Sequence, residues 1–165
     1  MKKLIALVTL FMFAAVMSYA AETVSATGTA KAKIIQAATL THATGAALDF
    51  GVLVADSDGG TVVVPAVATP TPTDTGIKRA SGDVTSDHFT LANLDTATSY
   101  AVSLPSSLVI KNANEDEMTV SSFTVSETPV TGVTSKELYV GGTLTIGANQ
   151  ASGSYQGDYT VTVTY

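Results

Sequence analysis

The stretch from Leu144 to Tyr165, L-T-I-G-A-N-Q-A-S-G-S-Y-Q-G-D-Y-T-V-T-V-T-Y, decides the fold class of this chain. Its second half alternates without a break up to the last residue. One face of the extended chain carries Tyr155, Tyr159, Val161, Val163 and Tyr165, and the other face carries Asp158, Thr160, Thr162 and Thr164. Such period-two alternation is typical of a half-buried strand. The sequence therefore predicts two strands around a glycine-marked turn, with the chain end built into a sheet.

Short strands are predicted along the rest of the chain as well, and no stretch keeps a helical periodicity. The predicted strands are Leu48–Val54, Thr61–Pro65, Ile77–Arg79, His88–Leu91, Tyr100–Leu104, Leu108–Ile110, Met118–Val125 and Lys136–Ile146. A slip in the phase of the apolar residues predicts a bulge at Ser121-Ser122, and Gly141-Gly142 marks a second predicted bulge. Roughly eight to ten short strands separated by turn residues predict an all-β, two-sheet sandwich.

The chain opens with the features of a signal peptide. Lys2 and Lys3 precede an apolar run from Leu4 to Met17, and small residues lead up to Ala20. The run is shorter than the roughly 20 residues that a membrane-spanning helix needs. We therefore predict a signal peptide over residues 1–20 and no transmembrane span after its cleavage. The expected location is extracytoplasmic: the periplasm, the cell surface or the medium.

Residues 21–165 are predicted to form a single β-sandwich domain with an acidic surface. The chain carries a net charge of −6, and loss of Lys2 and Lys3 with the signal peptide changes this charge to −8. A negative net charge opposes binding to phosphate backbones, so nucleic acid is not an expected partner. The chain has no cysteine, which excludes disulfides and thiolate metal sites.

The first segment after the predicted cleavage site also alternates, and it has two interpretations. Residues 21–34 are either an N-terminal arm that adds as a strand to another subunit, or the first strand of the chain's own sandwich. The residues on one face of this candidate strand-addition arm are Val24, Ala26, Gly28, Ala30, Ala32 and Ile34. Because an unpaired strand edge is an aggregation liability, the residues alone favour the first strand, but both interpretations stay open.

No residue pattern predicts catalysis, a cofactor or a metal site. Asp56 and Asp58 lie on a glycine turn as carboxylates do in calcium loops, but the pattern supplies too few of the required oxygen ligands. The polar run Asn112–Glu117 is likewise expected to be a solvated turn. His42 and His88 lack the spacing of a metal-binding pair, and no G-x-S-x-G motif occurs. Tyrosines are expected to cap the core rather than to form an exposed platform for sugars. We therefore expect a protein that is not an enzyme.

Several motifs, by their order and spacing, resemble those of a bacterial family, the domain of unknown function 4402. They are Leu48-Asp49-Phe50-Gly51, Gly59-Gly60-Thr61-Val62, His88-Phe89, Tyr100–Pro105, Val140–Leu144 and Gly153–Val161. The resemblance covers residues 33–165 and implies an exported β-sandwich. The C-terminal pattern is also similar to that of spore-coat-U-like and archaic chaperone–usher pilin subunits. In those subunits an incomplete immunoglobulin-like sandwich is filled by a neighbour's N-terminal arm.

This second resemblance implies a pilin-like, immunoglobulin-like sandwich whose partners are copies of itself or related subunits, and a periplasmic chaperone. Two departures matter: such pilins often carry a disulfide, which this chain lacks, and their arms usually carry larger apolar side chains. We expect an exported structural or adhesive, fimbria-like surface protein. The alternative is a monomeric extracytoplasmic binding module for glycans or a protein partner.

Overall fold

A computed structural model describes residues 22–165, which contain eleven β-strands and no helix. The strands are β1 (Thr39–His42), β2 (Val52–Val54), β3 (Gly60–Val64), β4 (Thr73–Thr75), β5 (Lys78–Ser81), β6 (Asp87–Ala92), β7 (Ala101–Ser103), β8 (Ser107–Lys111), β9 (Glu117–Val125), β10 (Ser135–Ile146) and β11 (Thr162–Thr164). The prediction of an all-β chain is confirmed. Over the same range, no helix suited to crossing a membrane is found. The predicted signal peptide lies outside the described residues.

Seven strands form one antiparallel sheet around β10, which is the longest strand. One edge of β10 pairs with β9, and β8 extends the sheet beyond β9. The other edge of β10 pairs first with β6 and then with β3. Beyond these two neighbours, β1 pairs with β6 and β4 pairs with β3. β10 is therefore the strand on which the whole sheet is built.

Gly141 lies where β10 changes its neighbour. The ladder with β6 ends at the pair Val140–Asp87, and the ladder with β3 begins at the pair Gly142–Val64. A Cβ atom on Gly141 would overlap the Val64 carbonyl oxygen and the amide nitrogen of Ala66. Backbone cannot move aside as a flexible side chain can, so this position requires glycine for space.

A β-bulge in β9 lies directly across from this change. The pairing steps from Gly141–Thr124 to Thr143–Ser121, so Ser122 and Phe123 together oppose a single residue of β10. Ser122 has a φ of 49°, in the left-handed region. The bulge predicted at Ser121-Ser122 is confirmed, and the one predicted at Gly141-Gly142 is the same irregularity, with the extra residue on β9.

Two ribbons of two strands each, β7–β11 and β2–β5, pack on the inner face of the sheet. The core consists of two clusters, and each ribbon packs on one of them. The first cluster consists of Phe50, Val62, Val64, Ile110, Val120, Leu144 and Ile146, with Leu53 of β2 packed against it. The second cluster consists of Leu91, Leu94, Tyr100, Val102, Val130 and Leu138, with Val161 and Val163 packed against it.

The predicted strands differ from the structure mainly near the two ends. The C-terminal strand forms a ladder only over Thr162–Thr164, preceded by a single bridge between Gln156 and Lys111. The first strand is β1, and residues 22–38 contain no strand. β4 was not predicted, because its sequence T-D-T has no apolar residue and all three side chains are exposed.

The close packing at Gly141 predicts a large loss of stability on substitution. Gly141→Ala should lower the free energy of unfolding by at least about 2 kcal/mol, because the new methyl group meets backbone on the end of β3. Gly142→Ala is the matched control, since its Cβ would meet only ordinary or slightly close contacts, the nearest being Val120 Cγ1 at 3.3 Å. Urea denaturation of both variants measures the difference. Equal stabilities would contradict this account of the sheet.

Candidate functional site

The outer edge of β11 is the open edge of the β7–β11 ribbon. β11 pairs with β7, and no other strand within residues 22–165 pairs with it. The Val102 amide donates to Thr128 Oγ1 at 3.0 Å, on the side of β7 away from β11. Val163, the residue opposite Val102, therefore directs its own backbone groups away from β7. An edge with unpaired N–H and C=O groups is a template for another strand.

The segment that leads into β11 is separated from the segment that contains β7 and β8. The two segments are paired at Gln156–Lys111 and at Thr162–Ser103, and no strand pairing connects them between these points. A cleft of about 450 Å³ opens there. Its lining includes Leu104, Pro105, Leu108, Asp158, Tyr159 and Thr160. The C-terminal segment thus has unpaired backbone beside the cleft as well as along the β11 edge.

Tyr159 ties this segment to the sheet. Its hydroxyl donates to Asp87 Oδ2 at 2.7 Å, and its ring packs against Phe123 and Phe89 at centroid distances of 5.1 and 6.4 Å. Burial raises the pKa of Tyr159 above its ordinary value, and the hydrogen bond to Asp87 and the charge of Asp87 add to the effect. The phenol therefore stays protonated and keeps donating well into the alkaline range.

Asp87 is a buried carboxylate, only 4% exposed, that holds three parts of the chain together. Its Oδ2 accepts from Tyr159, while Oδ1 lies 2.7 Å from His42 Nε2 of β1 and accepts from the His88 amide of β6 at 2.8 Å. A buried carboxylate is costly unless its oxygens are paired, and here both are. No sequence motif pointed to Asp87. The available signal was its position in the inward phase of β6 with Phe89 and Leu91.

Tyr155 anchors the other end of the C-terminal segment. Its hydroxyl donates to the Ala151 carbonyl at 2.7 Å and accepts from Gln150 Nε2 at 2.9 Å and from Asn112 Nδ2 at 3.3 Å. A Cβ on Gly153 would lie 3.1 Å from the Asn112 side chain, and one on Gly157 would lie 3.0 Å from the Val109 carbonyl oxygen. These contacts explain the glycine spacing of the G-S-Y-Q-G motif, because the segment crosses β8 at close range.

The two acidic turns, residues 56–60 and 112–117, are held by hydrogen bonds from backbone amides to side-chain oxygens. Asp56 Oδ1 accepts from the amides of Asp58 and Gly59 at 3.0 and 3.1 Å, which is the geometry of a side-chain-closed turn. In the second segment, Asn112 Oδ1 accepts from the amides of Asn114 and Asp116, both at 2.9 Å. Over residues 22–165, no group of three or more His, Asp or Glu side chains is placed to hold a metal ion.

The two histidines serve different faces of the sheet. His42 contacts Asp87 and packs on Phe89 at a centroid distance of 4.8 Å. His88 lies on the outer face, stacked on Tyr139. Among the tyrosines, Tyr100 is buried in the second core cluster and Tyr165 is 61% exposed.

The candidate arm is exposed and is far from the C-terminal motifs along the chain. From residue 22 to residue 33 the chain forms no strand and its side chains are exposed. Val24 is 94% exposed, and Ile34, the other large apolar residue on this face of the arm, is 96% exposed.

Residues 39–165 match the family described as Domain of unknown function (DUF4402). The chain belongs to this family. The match starts at the first residue of β1 and runs to Tyr165, so it includes all eleven strands found within residues 22–165 of this DUF4402 chain and stops short of the candidate arm. Among curated proteins and solved structures, none matches this chain.

The bond between Tyr159 and Asp87 predicts an alkaline loss of stability. A tyrosine whose pKa is raised on folding contributes stability that is complete below the unfolded pKa of about 10 and is lost as the pH rises above it. Over that range the unfolded chain has released this proton and the native chain has not. The free energy of unfolding should therefore fall with rising pH over this range, by at most about 1.4 kcal/mol per pH unit from this residue and by less where solvent screens the partly exposed phenol.

Urea denaturation of the wild type and Tyr159→Phe between pH 7 and strongly alkaline pH measures this effect. The variant should lose about 1 kcal/mol at neutral pH, because Asp87 Oδ2 loses its donor, and should show a shallower alkaline decline. Tyr165→Phe controls for removal of a phenol hydroxyl from an exposed position. Parallel alkaline curves for the wild type and Tyr159→Phe would show that Tyr159 is not held as described.

Proposed function

We propose that this DUF4402 chain is an exported structural or adhesive surface protein, a pilin-like subunit that assembles with copies of itself or related subunits by β-strand addition. The observation that carries the proposal is the outer edge of β11. Its backbone groups have no strand partner within residues 22–165, while Val161 and Val163 are only half-buried at the rim of the second core cluster. An added strand would supply hydrogen-bond partners for these backbone groups and would also cover the two valines.

The rim of the second cluster supports this interpretation. Apolar side chains from both layers pack against the cluster while remaining partly exposed, among them Ala38, Leu40, Phe89, Val161 and Val163. Each 40 Å² of apolar surface that an added strand covers would stabilise the complex by about 1 kcal/mol before the cost of association. The core of the isolated chain is therefore one that gains from an additional strand.

Residues 22–34 are the proposed donor. Their exposed, alternating side chains suit an extended strand, with Val24, Ala26, Gly28, Ala30, Ala32 and Ile34 entering the acceptor site. Most of these side chains are small, so main-chain hydrogen bonds would provide most of the affinity, and the large exposed Ile34 would anchor one end.

The proposal includes an immunoglobulin-like two-sheet sandwich. The order β1–β6–β10–β9 in one sheet and the β7–β11 ribbon packed on it support that arrangement. The bond from the Tyr155 hydroxyl to the Ala151 carbonyl, four residues upstream, has the form of the tyrosine corner of such sandwiches. Export, the extracytoplasmic location and a periplasmic chaperone belong to the same proposal, because an open edge must be shielded until assembly.

Deletion of the arm tests the proposal. Light scattering after size-exclusion chromatography should find oligomers of the chain lacking the signal peptide, and monomers after further deletion of Glu22–Ala32. A synthetic peptide of residues 22–34 should bind the deleted protein and raise its melting temperature. Oligomers that persist without the arm would contradict the proposal. So would a chain that keeps the arm, lacks the signal peptide and is monomeric at every concentration.

Two substitutions in the peptide provide a matched pair. Ala30→Asp places a charge on the face that would enter the acceptor site, and binding should be lost because burial of an unpaired charge is costly. Thr29→Asp places the same charge on the opposite face, and binding should be retained. Equal effects of the two substitutions would show that the peptide does not bind as an alternating strand.

The alternative function is a monomeric extracytoplasmic binding module for a glycan or a protein partner. The cleft beside the C-terminal segment favours it, because the polar residues Asp158 and Thr160 line one concave surface together with apolar residues such as Leu104 and Leu108. This alternative predicts a monomer with and without the arm, together with retention on a glycan or protein array. Asp158→Ala should then reduce retention, and unchanged retention would exclude the cleft.

A further inference from the structure

The outer face of β1–β6–β10 carries an aromatic pair that the strand-addition proposal does not use. His88 of β6 and Tyr139 of β10 are opposite each other in the ladder, and their rings stack at a centroid distance of 4.8 Å and an interplanar angle of 13°. The flanking residues Leu138 and Val140 are buried on the other side of the sheet. The pair therefore faces away from the core.

Hydroxyl and carboxylate groups lie in the next row of the same face. The register places Thr41 of β1, Thr90 of β6 and Glu137 of β10 side by side. The Glu137 side chain is 62% exposed. We name these five residues, Thr41, His88, Thr90, Glu137 and Tyr139, the outer patch.

The polar atoms of the outer patch retain unused hydrogen-bonding capacity. Glu137 Oε2 accepts from the Tyr139 hydroxyl at 3.3 Å and lies 3.5 Å from His88 Nε2. His88 Nε2 is buried and has no hydrogen-bond partner within residues 22–165. Glu137 Oε1 has no partner within that range either. A buried polar atom without a partner is uncommon in a folded protein and calls for an explanation.

We infer that the outer patch binds a neutral pyranose unit of a glycan. The ring of Tyr139, backed by His88, offers an apolar face for the C–H face of a sugar, and aromatic rings contribute contact area with little loss of conformational freedom. Glu137 Oε1 accepts hydrogen bonds from sugar hydroxyls, and a shift of this carboxylate onto a sugar gives His88 Nε2 access to a hydroxyl partner. The net charge of −8 after loss of the signal peptide favours neutral over anionic sugars.

This patch supplies the adhesive contact that a surface subunit needs, and it is separate from the edge of β11. A purely structural role for the aromatic pair would require the stacked rings alone, as in other cross-strand pairs, and would give Glu137 no part. The role of Glu137 therefore separates the two explanations. Failure of glycan binding would leave the strand-addition proposal untouched, because that proposal does not involve the outer face.

Amide-detected NMR titration of the chain without its predicted signal peptide, residues 21–165, with cellotetraose, maltotetraose and the tetramer of N-acetylglucosamine tests the inference. At least one of them should shift the amide signals of the outer patch at about millimolar concentration. Glu137→Ala should weaken that binding by about tenfold or more, because a charged hydrogen-bond acceptor is lost. Glu115→Ala, which removes a carboxylate that is 77% exposed elsewhere, is the matched control and should bind as the wild type does.

The expected spectrum of Glu137→Ala without sugar is that of the folded wild type, since its side chain is largely exposed. Absence of shifts at the outer patch with all three sugars would overturn the inference. So would wild-type binding by Glu137→Ala, because the carboxylate would then have no part in recognition.

Discussion

The main sheet depends on one constraint: a single strand, β10, has to serve three neighbours. One edge carries two ladders placed end to end, and this arrangement is allowed because Gly141 puts no side chain between them. The bulge at Ser122 and Phe123 lets β9 follow the other edge through the same point. As a result, Leu138 and Leu144 of one strand reach two separate core clusters.

Asp87 connects this constraint to the open edge. It pairs with Val140, the last residue of β10 before Gly141, so its buried carboxylate lies where β10 changes neighbour. From there it accepts from Tyr159 and contacts His42, which fixes the C-terminal segment and the end of β1 relative to the sheet. The edge of β11 is consequently displayed on a fixed support, and an incoming strand would not have to order it first.

The sequence predicted what alternation can report, and it missed what depends on contacts distant along the chain. The phase of Val161 and Val163 was correct because alternation is a local property, and the slip before Phe123 located the bulge. The short extent of β11 was not predictable, since it depends on where the β7–β8 chain bends away. Asp87 was missed for a related reason. Its partners lie 45 and 72 residues away along the chain, and an inward-facing charged residue in a strand does not indicate by itself which residues it pairs with.

The strand edges of this chain are protected to different degrees, and the difference locates the candidate site. β4 carries a charged residue, Asp74, which Arg79 holds at 2.6 Å. β8 is bridged at Lys111 to the C-terminal segment, and β1 ends at the contact of His42 with Asp87. Charge and cover are two of the means by which proteins block edge pairing. Between Gly157 and Tyr165 the one charged side chain is Asp158, far from Val163, and valines lie beneath the edge. This edge is therefore the one that the proposed strand addition would use, because an added strand would cover the valines and pair with the free backbone groups.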